Sequence, residues 1–301
     1  MWDKVVDIEK CHLQKDPANN IRNSVKKFAL DNNLAFFNPR EKSGFLRTLM
    51  IRNSNQGEFM VLIQFYRENK EQREAILNHL KDKFHLTALL YCINSKANDT
   101  LYDQEIIIYD GSEFITEVME GLKFRVNAKS FFQTNAEQAY ELYKITREFA
   151  GLKGYELVYD LYTGTGTIAL FIAGKCKKVV GVESVPEAVA VAKENAEING
   201  IKNTFFEVGD MRKVFNLDFI NRHGVADLVI TDPPRNGMHP DVIRHLLVLA
   251  PNKIVYISCN NATQARDLSL MKEKYKLSKC QALDMFPQTQ HIENVVLLEK
   301  I

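Results

Sequence analysis

No hydrophobic run in this sequence approaches the ~18 residues that a membrane-spanning helix needs, so no such span is expected. There is no C-x-x-C pair. The five cysteines, Cys11, Cys92, Cys176, Cys259 and Cys280, are odd in number and irregularly spaced. In a chain of 301 residues that excludes a disulfide framework and fits reduced cytoplasmic thiols. Charge of one sign is also lacking, since 39 Lys and Arg against 38 Asp and Glu leave a net +1. That excludes a basic DNA-coating protein, and the overall balance gives no sign of a polyanionic partner. With 14 glycines and 8 prolines the chain is neither collagen-like nor a low-complexity linker, and no solenoid repeat occurs. The opening Met1-Trp2-Asp3-Lys4 carries no signal-peptide hydrophobic region. What is present is 46% hydrophobic and 26% charged residues, an ordinary globular composition. At about 150 residues per domain, this length makes one large domain or two ordinary ones.

The pattern changes near residue 128, which predicts a first domain over 1–127 and a second over 128–301. In the first, a helix opened by Asp16-Pro17 runs to Asp31, and strand-like runs follow at Phe45–Arg52 and Phe59–Tyr66. A polar helix over Lys70–Lys83, an apolar run over Leu86–Ile93 and short strands over 105–127 complete a smaller α+β domain, its strands read as antiparallel. In the second, strands at Glu156–Asp160, Lys178–Glu183, Thr204–Val208, Asp227–Thr231 and Lys253–Ser258 alternate with helices. Such alternation predicts an α/β fold with a parallel sheet covered on both faces. Lys276–Met285 and Asn294–Glu299 have no helix between them, which predicts a terminal antiparallel strand pair.

The turn Asp160-Leu161-Tyr162-Thr163-Gly164-Thr165-Gly166-Thr167 joins a strand to a helix. Small residues there let the backbone approach a ligand at the carboxyl end of the sheet. Glu183 ends the next strand, 19 residues after Gly164, where a carboxylate suits a ribose diol. The third glycine of the dinucleotide fingerprint and the lysine of a P-loop are both missing. Asp-x-x-x-Gly-x-Gly with an acidic strand end resembles the S-adenosylmethionine pocket of Rossmann-like methyltransferases. A plain tight turn is the bland alternative. Asp210, after the third strand, stands either where such folds reach adenine or where a helix needs an N-cap.

Three later segments narrow the chemistry. Asp232-Pro233-Pro234-Arg235 follows the fourth strand, and two prolines stiffen the loop that aims Asp232. Cys259 ends the fifth strand just before a helix, a position expected to lower a thiol pKa and yield a nucleophile. Glu293 opens the last strand, where a partly desolvated carboxylate suits a general base. For Cys92, Cys176 and Cys280 the ordinary role of a small core residue is accepted.

Together, Asp232-Pro-Pro-Arg-x-Gly, Ile254-Val-Tyr-x-Ser-Cys259-Asn-x-x-Thr263 and Asp284-x-Phe-Pro-Gln-Thr-x-His-x-Glu293 resemble the RNA uracil-5-methyltransferase family. Phe131-Phe132-Gln133-Thr134-Asn135 resembles the start of its catalytic domain. The resemblance implies a Rossmann-like S-adenosylmethionine-dependent methyltransferase sheet. It implies Cys259 as nucleophile, Glu293 as base and Asp232 beside both ligands. Cofactor contacts are implied for Gln133, Tyr162, Gly164, Gly166, Thr167, Glu183, Asp210 and Asp232. The residue after Tyr162 is often cysteine in the family and is Thr163 here.

RNA is the expected partner, with Arg235 near an oxyanion or a phosphate. Residues 21–53 hold seven basic residues against two acids, while 97–122 hold seven acids and no Lys or Arg. Lys26, Lys27, Arg47 and Arg52 are therefore candidate RNA contacts, a solvated surface being the alternative. The family's N-terminal RNA-binding barrel is absent, and a longer protein is expected. Cys11 stands where the family's last cluster cysteine often falls; without three partners no iron–sulfur cluster forms on this chain alone. No metal, no membrane, a monomer and a cytoplasmic location complete the expectations. RNA cytosine-5 methylation, or a non-catalytic RNA-binding protein keeping the cofactor pocket, are the competing readings.

Overall fold

The computed structural model describes residues 6–301; Met1 to Lys4, read above as lacking a leader, lie outside the described residues. The chain divides into two compact units, one of residues up to 117 with 125–129, the other of 118–124 with 130–301.

The first unit contains α1 (Ala18–Asp31), β1 (Leu46–Asn53), β2 (Phe59–Phe65), α2 (Lys70–Lys83), β3 (Ala88–Ile93) and β4 (Ile107–Gly111). A hairpin of β5 (Phe114–Met119) and β6 (Leu122–Asn127) follows, and the division between the units falls within it. The main sheet runs β1-β2-β3-β4. Its strands were expected to be antiparallel, and this expectation is corrected: β2 and β3 pair in parallel, between antiparallel neighbours on either side. The reason is α2, whose 14 residues return the chain to the starting end of the sheet, as a parallel pair requires. Every residue of β2 is buried, and Phe45 stacks on Phe65 with ring centroids 4.7 Å apart.

The second unit contains α3 (Ala136–Ala150), β7 (Leu157–Leu161), α4 (Thr167–Ala173), β8 (Lys178–Glu183), α5 (Pro186–Ile198) and β9 (Thr204–Val208). After these come α6 (Met211–Val214), α7 (Leu217–His223), β10 (Leu228–Thr231) and α8 (Pro240–Leu249). The chain ends with β11 (Lys253–Ser258), α9 (Asn261–Met271), β12 (Tyr275–Leu283) and β13 (Glu293–Lys300). The helix ends follow their residue chemistry. Asn135 caps α3 by accepting from the Gln138 amide at 3.2 Å, and Gly151 closes it at φ 57°, a left-handed conformation that glycine adopts without a Cβ penalty.

The strand order is β12-β13-β11-β10-β7-β8-β9. Strands β7 to β11 are mutually parallel, and β13 runs antiparallel to both β11 and β12. The expected α/β sheet with a terminal antiparallel pair is thus observed. Because β13 enters between β12 and β11, its first residue arrives at the carboxyl end of the parallel strands. In the antiparallel register Ser258 pairs Asn294, so the next residues outward, Cys259 and Glu293, come within electrostatic reach of one another at the strand ends.

Candidate active site

The loop from Asp232 to Gly237 is held by α9. Asp267, fully buried, accepts from the Met238 amide at 2.8 Å and from the Tyr256 hydroxyl at 2.7 Å. Arg266 donates to the Asn236 carbonyl at 2.9 Å, while Asn260 Nδ2 and Thr263 Oγ1 both donate to the Arg235 carbonyl at 3.1 Å. A Cβ on Gly237 would stand 2.6 Å from both Arg266 and Asp267, so the motif's glycine is demanded by this close approach. The loop has few ways to move. Asp232 and Arg235 are therefore preset.

A second clamp holds Glu293. Gln264, 2% exposed, donates to the carbonyls of Tyr256 (3.0 Å) and Asn294 (3.3 Å). Asn294 Nδ2 donates back to Gln264 Oε1 at 2.7 Å. Satisfied buried amides of this kind fix one geometry, because any alternative leaves polar groups unpaired.

Electrostatics follow from this crowding. Glu293 is 6% exposed, and burial pushes its carboxyl up to about 7, with Arg235 pulling the other way. Asp232 is raised well above the ordinary range by desolvation and by Glu293 and Asp160. Asp160, 1% exposed at the end of β7, accepts from Thr163 Oγ1 at 2.5 Å, yet burial lifts it to about 7. Cys259 is half-buried. Its thiol was expected to be lowered by the helix N-terminus and is instead raised, by burial and by Glu293 and Asp232. Arg235 opposes that shift through its charge and a hydrogen bond to the thiol. Desolvation of the thiol, the largest cause, acts with the two nearby carboxyl groups against the helix end.

The cofactor turn has the bare backbone a nucleoside needs. Gly164 and Gly166 sit at φ 56° and 78°. A Cβ on Gly164 would meet nothing within 4 Å, so open space faces that backbone. On Gly166 it would come 2.9 Å from Ala192 and 3.0 Å from Phe206. Tyr162 takes φ 64°, an uncommon conformation for a non-glycine residue and one that clusters at ligand sites. Glu183 is oriented by amides, accepting from Gly164 at 3.1 Å, Ser184 at 2.6 Å and Val185 at 3.0 Å. These residues fit a nucleoside cofactor.

Residues 44–301 match the family model described as tRNA (Uracil-5-)-methyltransferase. The chain belongs to this uracil-5-methyltransferase family. Proteins named uncharacterized RNA methyltransferase from Porphyromonas gingivalis and Bacteroides thetaiotaomicron are each 53% identical to it over 99% of the chain. The chain spans 65% and 66% of their lengths. Among solved structures it is similar to the tRNA (uracil-54, C5)-methyltransferase of Pyrococcus abyssi, in complex with S-adenosyl-L-homocysteine. That likeness has a TM-score of 0.84 and 31% identity, over 99% of this chain and 71% of the other.

In this member of the family, Cys259, Glu293, Asp232 and Arg235 are gathered from three separate strand ends. Tyr162 lies within electrostatic reach of Glu183 and Asp210, and Thr167 begins α4 beside Tyr143. Gln133 lies half-buried just before α3. Asp210 is the N-cap of α6, accepting from the Arg212 amide at 2.9 Å, and its ion pair with Arg212 holds it down at about 2.

The four candidate RNA contacts of the first unit have internal partners. Lys26 pairs with Asp7, and Lys27 with Asp31 at 2.7 Å. Arg47 donates to the carbonyls of Asn94 and Lys96, both at 2.7 Å, and lies over the Phe37 ring. Arg52 reaches the Ala128 carbonyl at 3.5 Å, with burial lowering its pKa. Cys11 is half-buried and free, its amide donating to Asn19 at 2.7 Å. Among the described residues no helix is long and apolar enough to cross a membrane, and no group of metal-ligating side chains forms.

Sequence reasoning missed Tyr143, Asp267 and the Gln264–Asn294 clamp, and named Asp160 only as the first residue of the Asp-x-x-x-Gly-x-Gly motif. Tyr143 is buried among Asp232, Asp160 and Glu293, raised far above the ordinary phenol range and hydrogen-bonded to Thr167. Asp160 apart, nothing local marks these residues: each occupies an ordinary helix or strand position.

Proposed function

We propose that the chain methylates carbon 5 of a uridine in a structured RNA, a transfer or a ribosomal RNA, with S-adenosylmethionine as donor. The observation that supports this is the pairing of Ser258 with Asn294, beyond which Cys259 is within electrostatic reach of the desolvated Glu293, Asp232 and Arg235. The family membership and the S-adenosyl-L-homocysteine named with the Pyrococcus neighbour support it.

Gln133, Tyr162, Gly164, Gly166, Thr167, Glu183, Asp210 and Asp232 would hold the donor. When bound, it supplies an electrophilic methyl group. Cys259, as thiolate stabilised by Arg235, adds to carbon 6 of the uracil, and the displaced electron pair makes carbon 5 nucleophilic. Asp232 hydrogen-bonds the uracil edge and fixes its face. After methylation Glu293 takes the carbon 5 proton; the double bond reforms and the carbon 6–sulfur bond breaks, returning the thiolate. The target base must leave its stack to present both carbons. Arg235 is the RNA contact nearest the chemistry, with Lys26, Lys27, Arg47 and Arg52 as contacts of the first unit.

RNA bearing 5-fluorouridine tests the reading, because fluorine at carbon 5 cannot leave as a proton. A covalent protein–RNA adduct that requires S-adenosylmethionine is expected, and Cys259→Ala abolishes it. Absence of an adduct with any uridine-containing RNA refutes the mechanism. Glu293→Gln should accumulate the adduct on unmodified RNA.

A further inference from the structure

Three carboxyl groups stand on neighbouring strand ends with little positive charge among them. Asp160 lies within β7 near its end, Asp232 follows β10 and Glu293 opens β13. β7 pairs β10 directly, and only β11 separates β10 from β13. The groups facing this trio come from every surrounding element. Glu183 of β8 acts on Asp160, and Thr163 donates to it. Tyr143 of α3 is within electrostatic reach of all three, and Cys259 after β11 is within reach of Glu293 and Asp232. Arg235 is the cation acting on Glu293 and Cys259, and its side chain is exposed.

Burial leaves Asp160 and Glu293 each titrating at about 7, and burial together with those two carboxyl groups shifts Asp232 the same way. A cation brought among them is attracted and displaces protons. A neutral ligand of the same shape does neither.

Resting on the reading that S-adenosylmethionine binds at this turn, we infer that Asp160, Asp232 and Glu293 together form a charge discriminator. It retains the cationic sulfonium donor and releases the neutral thioether left after transfer. The discrimination also times the base. While a cation is held nearby, Glu293 is stabilised as a carboxylate and binds protons weakly. Once that charge is gone, its proton affinity rises at the stage when carbon 5 must lose a proton.

The size of the effect follows from linkage. A group titrating at about 7 is roughly nine-tenths ionised at pH 8 and one-tenth at pH 6. If the cation requires one such carboxylate ionised, its affinity falls about tenfold over that interval; if it requires two, about a hundredfold.

The test is equilibrium binding to the full chain, by calorimetry at about pH 6, 7 and 8. The ligands are S-adenosylmethionine, S-adenosylhomocysteine and sinefungin, which carries an ammonium group in place of the sulfonium. The two cationic ligands should weaken about ten- to a hundredfold from pH 8 to pH 6 and release protons on binding. S-adenosylhomocysteine should change less than about threefold and release none. In the double variant Asp160→Asn, Glu293→Gln the pH dependence of the cations should collapse while S-adenosylhomocysteine still binds. Equal pH dependence for all three ligands in the wild type overturns the discriminator and leaves the cofactor reading intact. Failure of all three to bind at any pH overturns both.

Discussion

Glu293→Gln should make the protein more stable at alkaline pH while removing the proposed base. The wild-type carboxyl is 6% exposed and titrates at about 7 instead of its ordinary 4.5, burial being the main cause. A carboxyl whose folded pKa is raised binds its proton more tightly in the native state than in the unfolded chain. The favourable contribution is fully present below 4.5 and is lost as pH rises through about 7. About 2.5 pH units at ~1.36 kcal/mol per unit come to about 3 kcal/mol. A glutamine is a neutral near-isostere of the protonated acid, so the variant never incurs this loss. Urea unfolding of both proteins should show nearly equal stability near pH 4.5 and a variant more stable by about 3 kcal/mol at pH 8. The gap should open between those limits, centred on the rising limb toward pH 7. A variant of equal or lower stability at pH 8, or a difference independent of pH, would refute the claim that Glu293 is held in a desolvating site. Stability given up to keep a general base near neutrality is the ordinary trade at an active site.

Gln264→Ala should destabilise by at least about 3 kcal/mol, since it takes a partner from the Asn294 amide and from two carbonyls, at a usual cost of about 1 kcal/mol or more for each. Thermal unfolding checks this; a loss under about 0.5 kcal/mol would show that the clamp is not holding β13. Arg235→Ala removes the charge and the hydrogen bond that oppose the upward shift of Cys259, so alkylation by iodoacetamide near pH 8 should slow several-fold. Glu293→Gln should speed the same reaction, and alkylation rates unchanged in both variants would contradict the electrostatic arrangement.

Much of the second unit was legible because its signals are local. Lys178–Glu183, Thr204–Val208 and Lys253–Ser258 are compact runs of β-formers that become strands with those limits. Pro186 opens α5 and Gly200 follows its last turn at φ 64°, punctuation by chemistry confined to one turn. In the first unit the strands were legible but the direction of β3 was not. Strand direction depends on which end of β2 the chain has been returned to by α2, a choice no residue in Ala88–Ile93 records.

Cys259 shows where position alone misleads. A cysteine ahead of a helix reads as an acidic thiol, because sequence displays the helix end and hides the charges brought beside it. The opposing groups, Glu293 and Asp232, arrive from β13 and β10. Similarly, Asp267 and Gln264 read as polar positions of an amphipathic helix; burial against the 232–237 loop and β13 turns them into clamps.

By itself the sequence determined the alternation of strands and helices, the glycine turn and the residue types of the chemical motifs, since short-range sterics and covalent spacing are written along the chain. Tertiary structure alone decided which carboxyl groups share one desolvated site and in which direction each titrates. Those properties depend on Coulomb interaction and burial, which follow distance in space. The insertion of β13 between β11 and β12 sets that distance.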